Sequence, residues 1–158
     1  MAEVVVTQKV NAPLADLWDS WDSFDEIYSF NPVINQSPLL SRSAPTGMGA
    51  ERVCKHIDGK TYLKERIIGY QPEEYIVVDI FDANLPLKKA VVTLDFVALS
   101  PDQSRVTMRI SFTPKFGPVG WLIAPLMKSQ FRKGLSDLLS SNARFVEKGV
   151  EVHPKAAA

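Results

Sequence analysis

With 158 residues, 46% of them hydrophobic, the chain has apolar content enough for one well-buried core and too much for a disordered segment. Its 18 basic and 18 acidic side chains cancel, so no long-range field recommends nucleic acid or an anionic membrane as partner, although a local basic patch is compatible with that balance. The only cysteine, Cys54, cannot close an intramolecular disulfide, no charged-then-apolar leader opens the chain, and no apolar run approaches the roughly 20 residues that span a bilayer. A reducing cytoplasm is the expected location, with any membrane contact transient.

Residues 3–10 carry Val4, Val5, Val6 and Thr7, a β-branched run too short for a helix and closed by Asn11-Ala12-Pro13; they predict a first strand. Pro13 suits the first turn of a helix, where its missing N–H costs nothing, and Leu14, Leu17, Trp18 and Trp21 follow at helical spacing, predicting a short helix over 13–20. Asp22 or Ser23 can cap a second short helix reaching residue 28, which Asn31-Pro32 stops. Trp18 and Phe24 are expected to close one end of the core, while Trp21, Tyr28 and Phe30 offer material for a lid.

Beyond Pro32 the period becomes alternating. Turn signals at Pro45-Thr46-Gly47, Asp58-Gly59, Gln71-Pro72-Glu73 and Pro101-Asp102 cut this region into antiparallel strands at about 34–42, 50–56, 60–70, 75–81, 87–99 and 104–113. In the last of these Val106, Met108, Ile110 and Phe112 alternate with Arg105, Thr107, Arg109 and Ser111, which predicts one buried and one wet face. For 75–81 both phases are apolar and neither is favoured.

From Leu122 to Val146 apolar residues recur at helical spacing, yet Gln130, Gly134 and Asn142 lie on or beside the stripe. Pro125 predicts a kink or a separate first turn, with the main helix over about 126–148 and Gly149 ending it. Residues 1–149 then form one domain and 150–158 a flexible tail. An interior glycine costs about 1 kcal/mol relative to alanine, so Gly134 needs an offsetting gain. Close helix–sheet contact or cavity space would serve, and Gln130 one turn away favours space. Phe116, Trp121, Leu122, Ile123 and Met127 gather at the helix start, compatible with packing or with contact to a membrane or a protein.

A strand, two short helices, six strands and a long helix make an α+β chain whose apolar sheet face and helix stripe must cover each other. The chain resembles the START-like helix-grip (SRPBCC) superfamily, in particular its polyketide cyclase/dehydrase and lipid-transport branch. The resemblance is carried by Ala12-Pro13 with Leu17-Trp18 and Phe24 near Pro32, by Gly49, Arg52, Asp58-Gly59 and Glu65-Arg66, by Pro72, and by Pro114, Gly120 and the long helix. It implies a curved antiparallel sheet of about seven strands wrapped around the C-terminal helix, with a ligand pocket between them. It further implies that Gly49-x-x-Arg52 puts Arg52, Cys54 and His56 in the pocket-facing phase, and that Leu63, Glu65 and Ile67 face inward on the next strand. The glycine-rich loop of the plant-allergen relatives is missing, which argues against nucleotide or phosphate binding, and the length of full lipid-transfer START domains is missing too, which implies a smaller ligand.

An inward Glu65 must be paired, hydrogen-bonded or protonated, and Arg52 is the neighbour able to pair with it; the plainer alternative is a surface ion pair with Lys55 or Lys64. His56 reads either as a general base near Glu65 or as a turn residue beside Asp58-Gly59. His153, the other histidine, falls in the tail, so no metal-ligand spacing exists and neither metal nor cofactor is expected. Cys54, mid-strand, reads as a small core residue rather than a nucleophile, and no Gly-x-Ser-x-Gly elbow appears.

The expected function is binding or carrying a small hydrophobic ligand: a lipid, an isoprenoid or an aromatic polyketide-like compound. Arg52, Glu65, His56 and Gln130 would orient it against Leu63, Ile67, Leu94, Phe96, Met108, Ile110, Phe131 and Leu138. The alternatives are a polyketide cyclase/dehydratase-like enzyme moving protons with Glu65 and His56, and a protein-interaction module using 121–127.

Overall fold

In chain order, β1 (Ala2–Val10) leads into α1 (Leu14–Asp22) and a 3₁₀ helix (Phe24–Ser29). Then come β2 (Ile34–Gln36), β3 (Glu51–His56), β4 (Tyr62–Gln71), β5 (Tyr75–Ala83), β6 (Leu87–Ser100), β7 (Gln103–Pro114) and α2 (Gly117–Lys148). The computed structural model describes residues 1–153. All seven strands join one antiparallel sheet in the order β1-β7-β6-β5-β4-β3-β2. It curls into a half-barrel around α2, the expected α+β helix-grip arrangement.

The alternation expected in β7 is present: Val106, Met108, Ile110 and Phe112 are buried, and Arg105 and Arg109 are exposed. β5 resolves its ambiguous phase in favour of Ile76 and Val78, both buried, with Ile80 on the same face. α1 closes one end of the half-barrel. Its Trp18 packs edge-on against Phe96 with ring centres 5.2 Å apart and tilts against Tyr70 at 5.5 Å. Trp21 packs on Phe30 and donates its indole N–H to Asn142 Oδ1 at 3.0 Å. The Asn142 amide donates in turn to Ser20 Oγ at 3.0 Å. The amide that interrupts the apolar stripe of α2 is therefore buried and satisfied, tying α1 to α2.

Several expectations need correction. The strand expected over 34–42 is three residues of β2, because Pro38 has no N–H to offer a ladder. Only the Leu39↔Arg52 bridge and bonds such as Leu40 N–H to Glu51 O continue the pairing. Ser23 precedes the 3₁₀ helix without capping it, since its hydroxyl donates back to Asp19 O at 2.9 Å. Pro125 breaks nothing: α2 runs unbroken from Gly117 through Pro125 to Lys148. The carbonyl left without a helical donor is that of Trp121, an exposed residue, where water can take the bond. The helix starts early because Pro118 occupies its first turn and Gly120 lies so close to the Lys115 carbonyl that a Cβ there would collide with it. Gly149, at φ 69°, ends the helix as expected and donates to Phe145 O at 2.8 Å.

Of the expected tail, Val152 N–H donates to Ser29 O at 3.0 Å and His153 Nε2 lies 2.9 Å from Asn31 O, which brings the chain back to the 3₁₀ helix. Residues 154–158 lie outside the described residues. The core-facing stripe of α2 begins at Ala124 and Met127 instead of Leu122; Leu122 is 81% exposed and Leu126 61%. Among the described residues no helix is long and apolar enough to cross a membrane.

Candidate functional site

α2 rests mainly on β1 and, less extensively, on β7, so one flank of the helix overhangs the concave sheet instead of touching it. Under that flank lies a cavity of about 210 Å³. Its floor is the inward phase of the central strands: Val78 and Ile80 from β5, Val92 and Leu94 from β6, Met108 and Ile110 from β7. Gln130, Phe131, Gly134, Leu135 and Leu138 form the helical wall. Val33, Gln130 and Gly134 line the cavity and are also exposed, which marks its mouth. A Cβ built on Gly134 meets no heavy atom within 4 Å. Gly134 therefore borders open space, and close helix–sheet contact is excluded as its reason.

One end of this apolar space is ionic. Arg52 and Glu65 are directly opposed in the β3–β4 register, and the next pair along, Glu51 and Arg66, faces the other side of the sheet. Outside, Arg66 Nη2 reaches Glu51 Oε2 at 2.7 Å with both side chains partly in solvent. Inside, Arg52 donates from Nη2 and Nε to Glu65 Oε2 at 2.7 and 3.2 Å, with the side chains only 7% and 11% exposed. Arg52 Nη1 donates to Phe24 O at 2.6 Å, and the guanidinium lies over the Phe24 ring, 3.9 Å from its centre. Burial works most strongly against the Arg52 charge, but the charge and hydrogen bonds of Glu65, with a contribution from Cys54, together hold the guanidinium above its ordinary pKa.

Both Arg52 bonds fall on Oε2, so Glu65 Oε1 takes no hydrogen bond from a nitrogen or oxygen of the described residues. Cys54 sits beside the pair. Burial, reinforced by the Glu65 charge, pushes its thiol up, so it stays protonated at neutral pH and is no nucleophile. The surface alternative for Glu65 does not form; Lys64 turns instead toward Asp82 at 3.4 Å.

The structure thus brings Arg52, Cys54, Leu63, Glu65, Leu94 and Met108 to one cavity, together with Ile110, Gln130, Phe131, Gly134 and Leu138. It leaves out His56, Ile67 and Phe96. His56 is the last residue of β3, and its imidazole turns into the Asp58 hairpin: Nδ1 accepts from Asp58 N–H at 3.3 Å and lies 3.5 Å from Asp58 Oδ2. It borders an outer groove with Lys55 and Tyr62, so the pair Glu65 and His56 is not assembled for proton transfer. Ile67 and Phe96 have the right phase and are buried but do not line the cavity, Phe96 packing against Trp18.

Trp21, Ile27, Asn31, Ile34, Val78 and Val92 also line the cavity. Val92 was findable, two residues before Leu94 in the same phase. Leu87 was not, because an irregular register between Leu87 and Lys89 reverses its phase. Among the described residues no cluster of three or more His, Cys, Asp or Glu is placed to hold a metal ion.

Residues 1–146 match the model of a family described as polyketide cyclase / dehydrase and lipid transport. No curated protein matches the sequence. Among solved structures, the chain is similar to the protein XoxI from Bacillus cereus, at 19% identity and TM-score 0.78 over 94% of this chain and 97% of that one. It is also similar to a START superfamily protein from Mycobacterium smegmatis, at 17% identity and TM-score 0.76 over 94% and 99%. A truncated norcoclaurine synthase from Thalictrum flavum follows at 15% identity and TM-score 0.70 over 93% and 94%. At these identities the likeness is one of fold.

Proposed function

The chain belongs to the polyketide cyclase / dehydrase and lipid transport family, and from that premise we propose that it binds one small hydrophobic molecule carrying a hydrogen-bond donor. The observation that carries this reading is the open apolar cavity with the Arg52–Glu65 pair at its ionic end, where Glu65 Oε1 takes no bond from Arg52. Its size selects among the lipid, isoprenoid and aromatic classes. A cavity of about 210 Å³ has room for roughly seven waters, each filling about 30 Å³. It is smaller than the pockets of roughly 300–1,000 Å³ that take drug-sized ligands. A single aromatic ring or a short branched chain suits it, and a two-chain lipid does not.

Burying about 200 Å² of such a ligand contributes about 5 kcal/mol, a Kd of a few hundred micromolar. A hydroxyl donating to Glu65 Oε1 adds roughly 1.5–3 kcal/mol as a bond to a charged acceptor and brings the affinity into the micromolar range.

Native mass spectrometry of the freshly purified full chain, followed by organic extraction, tests the proposal. A reproducible small molecule with an apolar body and a hydroxyl or amine is the expected result. A protein that arrives empty and ignores a panel of phenols, short isoprenols and short-chain alcohols overturns it.

A further inference from the structure

The start of α2 exposes a row of large apolar side chains that nothing among the described residues covers. Phe116, Val119, Leu122 and Leu126 are strongly exposed, and Trp121 and Ile123 are each exposed by more than two-fifths. Phe116 is held outward by a left-handed backbone at φ 71°, a conformation rare for a bulky side chain. Val119, Ile123, Leu126, Gln130 and Gly134 follow one another in steps of three and four residues. The exposed row therefore runs along one helix flank directly into the mouth of the cavity.

The stretch of sequence that carries this row is one-sided in charge although the whole chain is neutral. Residues 103–136 hold six basic side chains and no acidic one. Arg109 pairs with Glu3 and Lys133 with Asp137. Among the described residues Lys115, Lys128 and Arg132 have no carboxylate partner, nor do Lys88 and Lys89, which the β6–β7 register sets beside the approach to Lys115. An apolar row fringed by unneutralised cations is the surface that an anionic bilayer complements: side chains enter the interface while lysines and arginine meet phosphates. A protein partner would need matching acidic and apolar relief, whereas a lipid interface needs only these two features.

We infer that the start of α2 is a docking surface for anionic membranes, seating the cavity mouth at the lipid interface. The inference stands apart from what the cavity holds, and it is read by a different experiment.

Co-sedimentation of the full chain with vesicles of phosphatidylcholine alone, and of phosphatidylcholine with phosphatidylglycerol, tests it. The expected result is binding to the mixed vesicles only, weakened by salt. Trp emission should shift to the blue, reporting Trp121 because Trp18 and Trp21 are already buried, and Trp121→Phe should abolish the shift. Leu122→Glu lowers the partition by roughly tenfold or more through lost apolar burial. Lys128→Gln lowers it about fivefold on mixed vesicles. Both variants sit outside the core, and unchanged thermal melts confirm that they fold. No binding to mixed vesicles at low salt overturns the inference, as does binding that Leu122→Glu leaves intact. A monomer–dimer equilibrium abolished by Leu122→Glu, without vesicle binding, overturns it in favour of a second copy.

Discussion

Substituting Gly134 separates two physical pictures of α2 by sign. If the glycine exists to let helix and sheet touch, any Cβ collides and the protein loses stability. If it borders empty space, Gly134→Ala gains. A Cβ there meets nothing within 4 Å, so the methyl is accommodated and the entropy cost of an interior helical glycine is removed. The gain is about 1 kcal/mol, or roughly 2–4 °C in Tm at this chain length. Gly134→Leu extends the test. Its added methylenes enter a cavity of about 210 Å³ and contribute about 0.8 kcal/mol for each one buried, while occupying the volume a ligand needs. Urea denaturation followed by tryptophan emission reads the first effect, and titration with the co-purifying molecule reads the second. The expected pattern is stability rising from Gly to Ala to Leu as affinity falls. Destabilisation by Gly134→Ala, or unchanged affinity in Gly134→Leu, refutes the reasoning.

Arg52→Met should cost about 3–5 kcal/mol in urea denaturation, because it strands a buried Glu65 carboxylate, and Arg52→Met/Glu65→Leu should recover most of that loss; a double variant as unstable as the single one contradicts this account. Cys54, buried and with its thiol pushed up, should resist a disulfide reagent at pH 8 in the native protein and react on unfolding in guanidinium. Reaction of the folded chain at the rate of free cysteine defeats that reading. Asp58 accepts from the Thr61 hydroxyl and from the Thr61 and Lys60 N–H groups, which lower its pKa to about 2. A lowered folded-state value stabilises the β3–β4 hairpin fully above the ordinary carboxylate range near 4 and less as pH falls through about 2. Carboxyl NMR titration should place its midpoint near 2, and Thr61→Val, which removes the hydroxyl but keeps both N–H donors, should move it part of the way back toward the ordinary value.

Alternation and turn chemistry made most of the sheet legible. β7 declares its inward face because every second residue is large and apolar, and the Asp58-Gly59 hairpin fixes which residue of β3 opposes Glu65. Phase says which face a side chain takes, not how far along the half-barrel it lies. Ile67 and Phe96 share the phase of the cavity wall without lining it, Phe96 at the end that Trp18 fills. His56 fails for a local reason, since a strand's last residue answers to its turn. At the start of α2, helical spacing reports that a face is apolar without saying that anything covers it, so Leu122 and Leu126 fall within the apolar periodicity and stand in solvent. β5, apolar on both faces, was decidable only through its pairing of Val78 with Ile67.

The buried ion pair is not explained by stability. Two apolar side chains of similar volume would close that end of the cavity without desolvating two charges, and such replacements are often neutral or stabilising. Three of the five guanidinium N–H donors go to Phe24 O and Glu65 Oε2, inside the protein. On the carboxylate, Arg52 leaves one oxygen, Glu65 Oε1, on a residue that lines the cavity. A fixed acceptor in an apolar pocket discriminates: a ligand hydroxyl satisfies it, and a methyl of the same shape dries it without a partner. Ligand pairs that differ only in hydroxyl against methyl, such as a cresol and the matching xylene, should therefore differ by about 10–100-fold in Kd, the equivalent of roughly 1.5–3 kcal/mol. Isothermal titration measures the ratio, and in Arg52→Met/Glu65→Leu it should collapse toward one or reverse. Equal affinities in the wild-type protein would leave Glu65 Oε1 without a part in recognition and return the ion pair to the fold alone.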